Sequence, residues 1–96
     1  MPKAYVVVDM EITDPERYAG YREAATSAVA AAGGRYLARG GATDVLEGDR
    51  QPHRTVILEF PDMDAARSWY DSPAYRQARQ LRAGAATGSL IAVEGI

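Results

Sequence analysis

The sequence predicts an α+β domain with the element order β-α-β-β-α-β, and three observations point to it. Apolar residues alternate with a two-residue period in two separate segments. A long alanine-rich stretch carries both a helix start signal and a helix stop signal, and a second helical stretch is broken at Ser72 and Pro73. A chain of 96 residues has enough surface to bury for one modest core, so positions 1–96 are expected to form a single domain.

The elements follow in order. Residues 4–12 place Val6, Val8, Met10 and Ile12 on one face of a strand, and Tyr5, Val7, Asp9 and Glu11 on the other. Asp14 then caps a helix with Pro15 in its first position, and Gly33 and Gly34 close it. Tyr18, Tyr21, Ala25, Ala28, Val29 and Ala32 recur at three- and four-residue steps and form its buried stripe. A second strand reads "GRYLARGG", and Gly40 and Gly41 suggest a bulge or bend before "ATDVLEG" resumes extended structure. After the turn "GDRQPH", the segment "RTVILEFP" alternates Val56, Leu58 and Phe60 against Thr55, Ile57 and Glu59. Asp62 caps a helix running through Trp69, a further helix runs from Pro73 to about Arg82, and "TGSLIAVEGI" is the last strand. This order is the ferredoxin-like split βαβ pattern. Both helical regions cover one sheet face, which leaves Val7, Ile57 and Ile91 on the other beside Asp9 and Glu59. That surface predicts a homodimer packed sheet to sheet.

Composition excludes several function classes. A net charge of -2, from 11 basic and 13 acidic residues, argues against nucleic acid as a partner. The absence of cysteine excludes disulfides, thiolate metal sites and thiol nucleophiles. No run approaches the roughly 20 apolar residues of a membrane span, and "MPKAYVVVDMEI" lacks the apolar core and cleavage site of a signal peptide, so a cytoplasmic protein is expected. No metal-binding spacing is present, and the single histidine, His53, does not build a histidine-rich site. No cofactor is expected. The serines lack a GxSxG context, and "RGGATD" is not a phosphate loop.

Ser72 and Pro73 read as a helix restart, with Ser72 as the new cap. The turn brings Trp69 and Tyr70 beside Tyr75. These rings either fill the core or wall a pocket between helix and sheet, each offering apolar area and one polar handle. Arg76, Arg79 and Arg82 step by three along the last helix and read as a solvated stripe favoured by the helix C-terminus. Arg39 and Glu47 flank the expected bend, while Arg54 and Glu59 lie on the neighbouring strand. Mutual salt bridges are the simpler reading of these four; the sharper one leaves an arginine free for a carboxylate ligand. His53 and Glu59 are the available proton carriers.

Taken together, "GGRYLARGG", "LEG", "RTVILEFPD", "WYDSPAY" and the closing "VEG" resemble the domain-of-unknown-function 1330 family of small bacterial proteins over nearly the whole chain. The resemblance implies a ferredoxin-like dimeric α+β barrel and carries no activity with it. It marks Arg39, Glu47, Arg54, Trp69, Ser72 and Tyr75 as the positions matching the family's characteristic residues. Similar barrels elsewhere include cofactor-independent monooxygenases, muconolactone isomerases and haem-degrading enzymes, which is analogy of fold. Haem fits poorly, because its sole axial histidine candidate, His53, sits in a turn. Two functions are therefore expected to compete: a small-molecule enzyme or binder acting on an anionic or carbonyl compound, and a non-catalytic dimerisation or interaction module.

Overall fold

The computed structural model describes residues 2–96. Strand β1 (Ala4–Ile12) is followed by helix α1 (Pro15–Ala31), strands β2 (Arg35–Arg39) and β3 (Arg54–Phe60), helices α2 (Met63–Asp71) and α3 (Pro73–Arg82), and strand β4 (Ala86–Glu94). The strands form one antiparallel sheet in the order β2-β3-β1-β4, so β1 and β3 lie side by side at its centre. This is the expected α+β ferredoxin-like arrangement, with the second helix in two pieces.

The helices form where their caps place them. The Asp14 carboxylate accepts the Arg17 amide at 3.2 Å and starts α1. The helix ends as Gly33 turns to φ 79°, which lets the Gly34 amide bond back to the Val29 carbonyl at 2.9 Å. Gly34 also has the Phe60 ring against its α-carbon, where a methyl group would stand 2.5 Å from the ring edge. The predicted stripe of Tyr18, Tyr21, Ala25, Ala28 and Val29 is buried, and Ala32 packs at its margin. From the sheet, Val6, Val8, Met10, Val56, Leu58 and Phe60 meet it, together with Ala66, Trp69, Tyr75 and Ala78 from the other helices. The alanines bring helix backbone close to sheet, while the aromatics supply most of the buried volume.

Two expectations fail between β2 and β3. The irregularity in β2 falls between Tyr36 and Ala38, not at Gly40 and Gly41, and "ATDVLEG" pairs with nothing. The Gly40 amide makes one more bond, to the Thr55 carbonyl at 2.8 Å, and Gly40 then adopts φ 67° and carries the chain away from β3. Because β3 begins at Arg54, the extended pattern of 42–48 has no strand beside it to pair its amides and stays an exposed loop.

The second sheet face carries no helix. Ile91 (61% exposed), Val93 (49%) and Leu37 (47%) stand on or beside it, and Leu46 in the loop is 91% exposed. Among the described residues no helix is long and apolar enough to cross a membrane.

Candidate functional site

The break between α2 and α3 assembles the aromatic cluster directly. Ser72 Oγ accepts the Tyr75 amide at 3.2 Å and donates to the Trp69 carbonyl at 2.7 Å. One side chain therefore ends α2, starts α3 and ties together the residues that carry the two rings. The Trp69 and Tyr75 ring centroids lie 4.2 Å apart, with Phe60 5.2 Å from Trp69 and Tyr70 6.1 Å from Trp69. Tyr75 and Trp69 are almost wholly buried, so both accounts of these rings apply: they are core, and they also wall a cavity.

Helix α1 presents Tyr18 and Tyr21 to the same space. Their rings lie 5.0 Å apart, and the Tyr21 and Tyr75 hydroxyls share a buried hydrogen bond of 2.8 Å. Burial raises the Tyr21 hydroxyl far above the ordinary tyrosine range, with Tyr75 adding to the shift, and burial likewise raises Tyr75. Both phenols are thus neutral at neutral pH. A bonded pair of neutral hydroxyls uses one hydrogen between them and keeps one to donate elsewhere.

Four arginines surround these tyrosines. The Arg54 guanidinium lies 5.8 Å from the centre of the Tyr18 ring, and its Nη1 reaches the Tyr18 hydroxyl at 3.5 Å. Arg39 lies 4.2 Å over Tyr36 and donates to Thr26 Oγ1 and the Arg22 carbonyl. Arg82 sits 5.3 Å from the Tyr21 ring, and Arg79 sits 4.1 Å from Tyr70. Among the described residues, none of the four has a carboxylate within ion-pair distance. The solvated-stripe reading of the last helix is therefore corrected for Arg79 and Arg82. Each turns a half-buried guanidinium onto a tyrosine face and buries an Nε without a hydrogen-bond partner.

The simpler reading of Arg39, Glu47, Arg54 and Glu59 as mutual salt bridges also fails. The pleat sends Arg39 and Arg54 to the helix side and Glu59 to the opposite side. There Glu59 accepts Arg35 Nε at 2.8 Å and Lys3 Nζ at 3.4 Å. The bond from Arg35, reinforced by Lys3, holds its carboxyl below the usual range. Glu47 lies in the exposed loop and lines a shallow depression with Val45, Leu46 and Thr55.

His53 lies on that far side as well. Its amide donates to Asp9 Oδ1 at 2.9 Å, and its ring stands 3.2 Å from Glu11 and 3.8 Å from the other Asp9 oxygen. That amide bond, with help from Arg50, keeps the Asp9 carboxyl below its ordinary value. Neither His53 nor Glu59 touches the aromatic cavity. The residues with hydroxyl groups that line it are Tyr18, Tyr21, Tyr36 and Tyr75, of which Tyr21 and Tyr75 are bonded to each other. The signal for Tyr21 was its place in the apolar stripe of α1, which marks burial and says nothing of its hydroxyl partner.

The cavity lies between α1, α3 and the sheet. Tyr18, Tyr21, Arg39, Arg54, Trp69 and Tyr75 line it, with Val8, Val56 and Leu58 at its apolar floor. It leaves about 20 Å³ for the centres of water-sized spheres, room for a water or two. Its chemistry is that of a donor-rich, carboxylate-free chamber, suited to hold an oxygen atom that carries or develops negative charge.

Fold and cavity together define the chain as a ferredoxin-like α+β protein with a chamber between helices and sheet. Its sequence matches the family described as Domain of unknown function (DUF1330) over residues 3–96, and the chain belongs to that family. Similar solved structures carry the same fold. A protein of unknown function from Rhodopseudomonas palustris is 21% identical, with a TM-score of 0.78, over 99% of this chain and 83% of its own. A dimeric ferredoxin-like protein of unknown function from Jannaschia sp. is 17% identical, with a TM-score of 0.64, over 96% of each chain. SnoaB, a cofactor-independent oxygenase from Streptomyces nogalater, is 12% identical, with a TM-score of 0.65, over 97% of this chain and 92% of its own. No curated protein matches the sequence.

Proposed function

We propose that the protein is a cytoplasmic small-molecule binder or enzyme whose chamber takes a small anionic or carbonyl compound. The observation that carries this reading is the pair Arg39 and Arg54, which line the chamber beside Tyr36 and Tyr18 with, among the described residues, no carboxylate within ion-pair distance. A guanidinium kept beside a low-dielectric cavity without an acidic partner favours a ligand that brings the missing negative charge. Trp69 and Tyr75 form the apolar wall, and the Tyr21–Tyr75 hydroxyl pair donates the spare hydrogen to a ligand oxygen. Ser72 positions both rings. The likeness in fold to a cofactor-independent oxygenase supports chemistry that needs no bound cofactor, with the substrate activated by these donors.

The reading is tested by thermal melting in the presence of small keto acids and small aliphatic carboxylates. At least one of them raises the transition, and Arg54→Met and Arg39→Met abolish the shift while leaving the ligand-free melting within a few degrees. If no compound of either class moves the transition, the chamber is not a ligand site. The tightness of the cavity would then favour a non-catalytic dimerisation module, with the tyrosines serving as filling.

In either case the uncovered sheet face packs against a second copy. Tyr5, Val7, Ile57, Ile91 and Val93 form its apolar centre, and Asp9 and Glu59 are already neutralised within the chain, which lowers the cost of covering them. Sedimentation at micromolar concentration tests this: a dimer is expected, and Val7→Asp with Ile91→Asp shifts it to monomer. A wild-type chain that sediments as a monomer overturns sheet-to-sheet pairing.

A further inference from the structure

A second and larger space lies on the far side of Trp69. It is a cleft between α2, the end of α3 and the helix-facing side of β4, with room of about 470 Å³ for the centres of water-sized spheres. Only Trp69 and Leu90 are shared with the tyrosine chamber. Its apolar surface is Val6, Leu90 and Ala92, and its aromatic walls are Trp69 and Tyr70. β4 pairs with β1 on one edge and has no strand on the other, and α2 covers its far half incompletely, so Ala92 is exposed.

Two polar atoms distinguish this cleft from an ordinary surface depression. The indole Nε1 of Trp69 and the Nε of Arg82 are both buried and both lack a hydrogen-bond partner. Both belong to residues lining the cleft, and both are donors. An N–H withdrawn from water without an acceptor is unfavourable, and native structures satisfy nearly all of them. Arg82 has no carboxylate within ion-pair distance among the described residues. Asp71 and Arg67 also line the cleft, and Arg67 is engaged with Asp64 at 3.6 Å.

We infer that this cleft binds a mono- or bicyclic aromatic carboxylate, with the Arg82 guanidinium as its oxygen-binding group and the Trp69 ring as one wall. A guanidinium without an ion-pair partner calls for an anion. The aromatic and aliphatic walls call for a flat apolar body, and the volume is within the usual range of small-molecule sites, about 300–1,000 Å³. The cleft shares Trp69 and Leu90 with the Arg39–Arg54 chamber but draws on a different arginine.

Trp69 is the sole tryptophan, so its indole N–H gives a single resolved NMR signal. Titration of the full chain with 2-naphthoate is expected to shift that signal saturably. Arg82→Met and Ala92→Leu, which remove the charge and fill the cleft, are each expected to weaken binding at least tenfold. Arg54→Met is expected to leave it within twofold. Absence of a saturable shift up to millimolar 2-naphthoate overturns the proposal. Weakening by Arg54→Met but not by Ala92→Leu also overturns it, because binding then depends on an arginine outside the cleft. Should Ala92→Leu alter sedimentation and leave affinity unchanged, a second copy occupies the cleft and the proposal fails. If Arg82→Met does not fold, as judged by circular dichroism, Ala92→Leu decides alone.

Discussion

The two sides of the sheet use arginine in opposite ways. On the uncovered side, Arg35 and Arg50 meet Glu59 and Asp9, at 2.8 and 3.3 Å, and both carboxyls are held below their ordinary range. On the helix side, Arg39, Arg54, Arg79 and Arg82 meet tyrosine faces, and among the described residues no carboxylate lies within ion-pair distance of them. The first side is electrostatically closed and ready to be covered by an apolar partner. The second is open to an anion. The pleat of this sheet thus sends acids one way and phenols the other within one small chain.

Four substitutions break or sharpen that contrast. The largest effect is expected for Trp69→Ala, which empties the space between Phe60 and Tyr75 and costs about 3–5 kcal/mol in urea unfolding. A loss below about 1 kcal/mol would mean that the helix side is not held by these rings.

Tyr21→Phe comes next. It removes one partner of the 2.8 Å hydroxyl bond and costs about 1–3 kcal/mol, and the double variant with Tyr75→Phe costs less than the sum of the two singles. The raised folded value of these phenols means that their contribution is complete below the unfolded tyrosine pKa, about 10, and is lost as pH rises through the higher folded value. In an ultraviolet titration of the six tyrosines, two are therefore expected to stay neutral past pH 10 until the chain unfolds in alkali. Ionisation of all six together near pH 10 would contradict the buried pair.

Ser72→Ala removes the shared cap and costs about 1 kcal/mol, measured by the same unfolding assay. Loosening the tie between Trp69 and Tyr75 should also weaken any ligand seated against them.

The smallest effect falls on the uncovered side. The depressed carboxyl of Glu59 contributes stability above its unfolded pKa, about 4.3, and this is lost as pH falls through the lower folded value. Glu59→Gln is therefore expected to flatten the acid limb of a melting-against-pH curve below about pH 4.3 and to leave the alkaline limb unchanged. An unaltered acid limb would show that Arg35 and Lys3 gain nothing from the carboxylate.

Much of this arrangement could be read from residues one at a time. Asp14, Pro15, Asp62, Ser72 and Pro73 act through bonds to amides two or three positions away, so the helix starts and the break were legible. Strand faces were legible because a strand's side chains alternate, whatever it pairs with. The segment 42–48 misled because an extended pattern becomes a strand only if a neighbouring strand runs beside it, and β3 begins at Arg54, opposite the end of β2. The salt-bridge reading of Arg39 and Arg54 misled for two reasons. The bulge at Tyr36/Ala38 resets the register of β2, which hides the face of Arg39, while Arg54 and Glu59, an odd number of residues apart on β3, stand on opposite faces by the strand's own alternation.

The sequence by itself determined the element order, the helix caps, the buried stripe of α1 and the gathering of Trp69 with Tyr75, because each depends on short-range backbone chemistry and periodicity. Tertiary structure alone decided that Tyr21 would meet Tyr75, residues 54 positions apart, and that four arginines would be left facing phenols. Those outcomes depend on how α1 and α3 lie across the twisted sheet, and that angle comes from the packing of the whole core, which no local stretch of residues encodes.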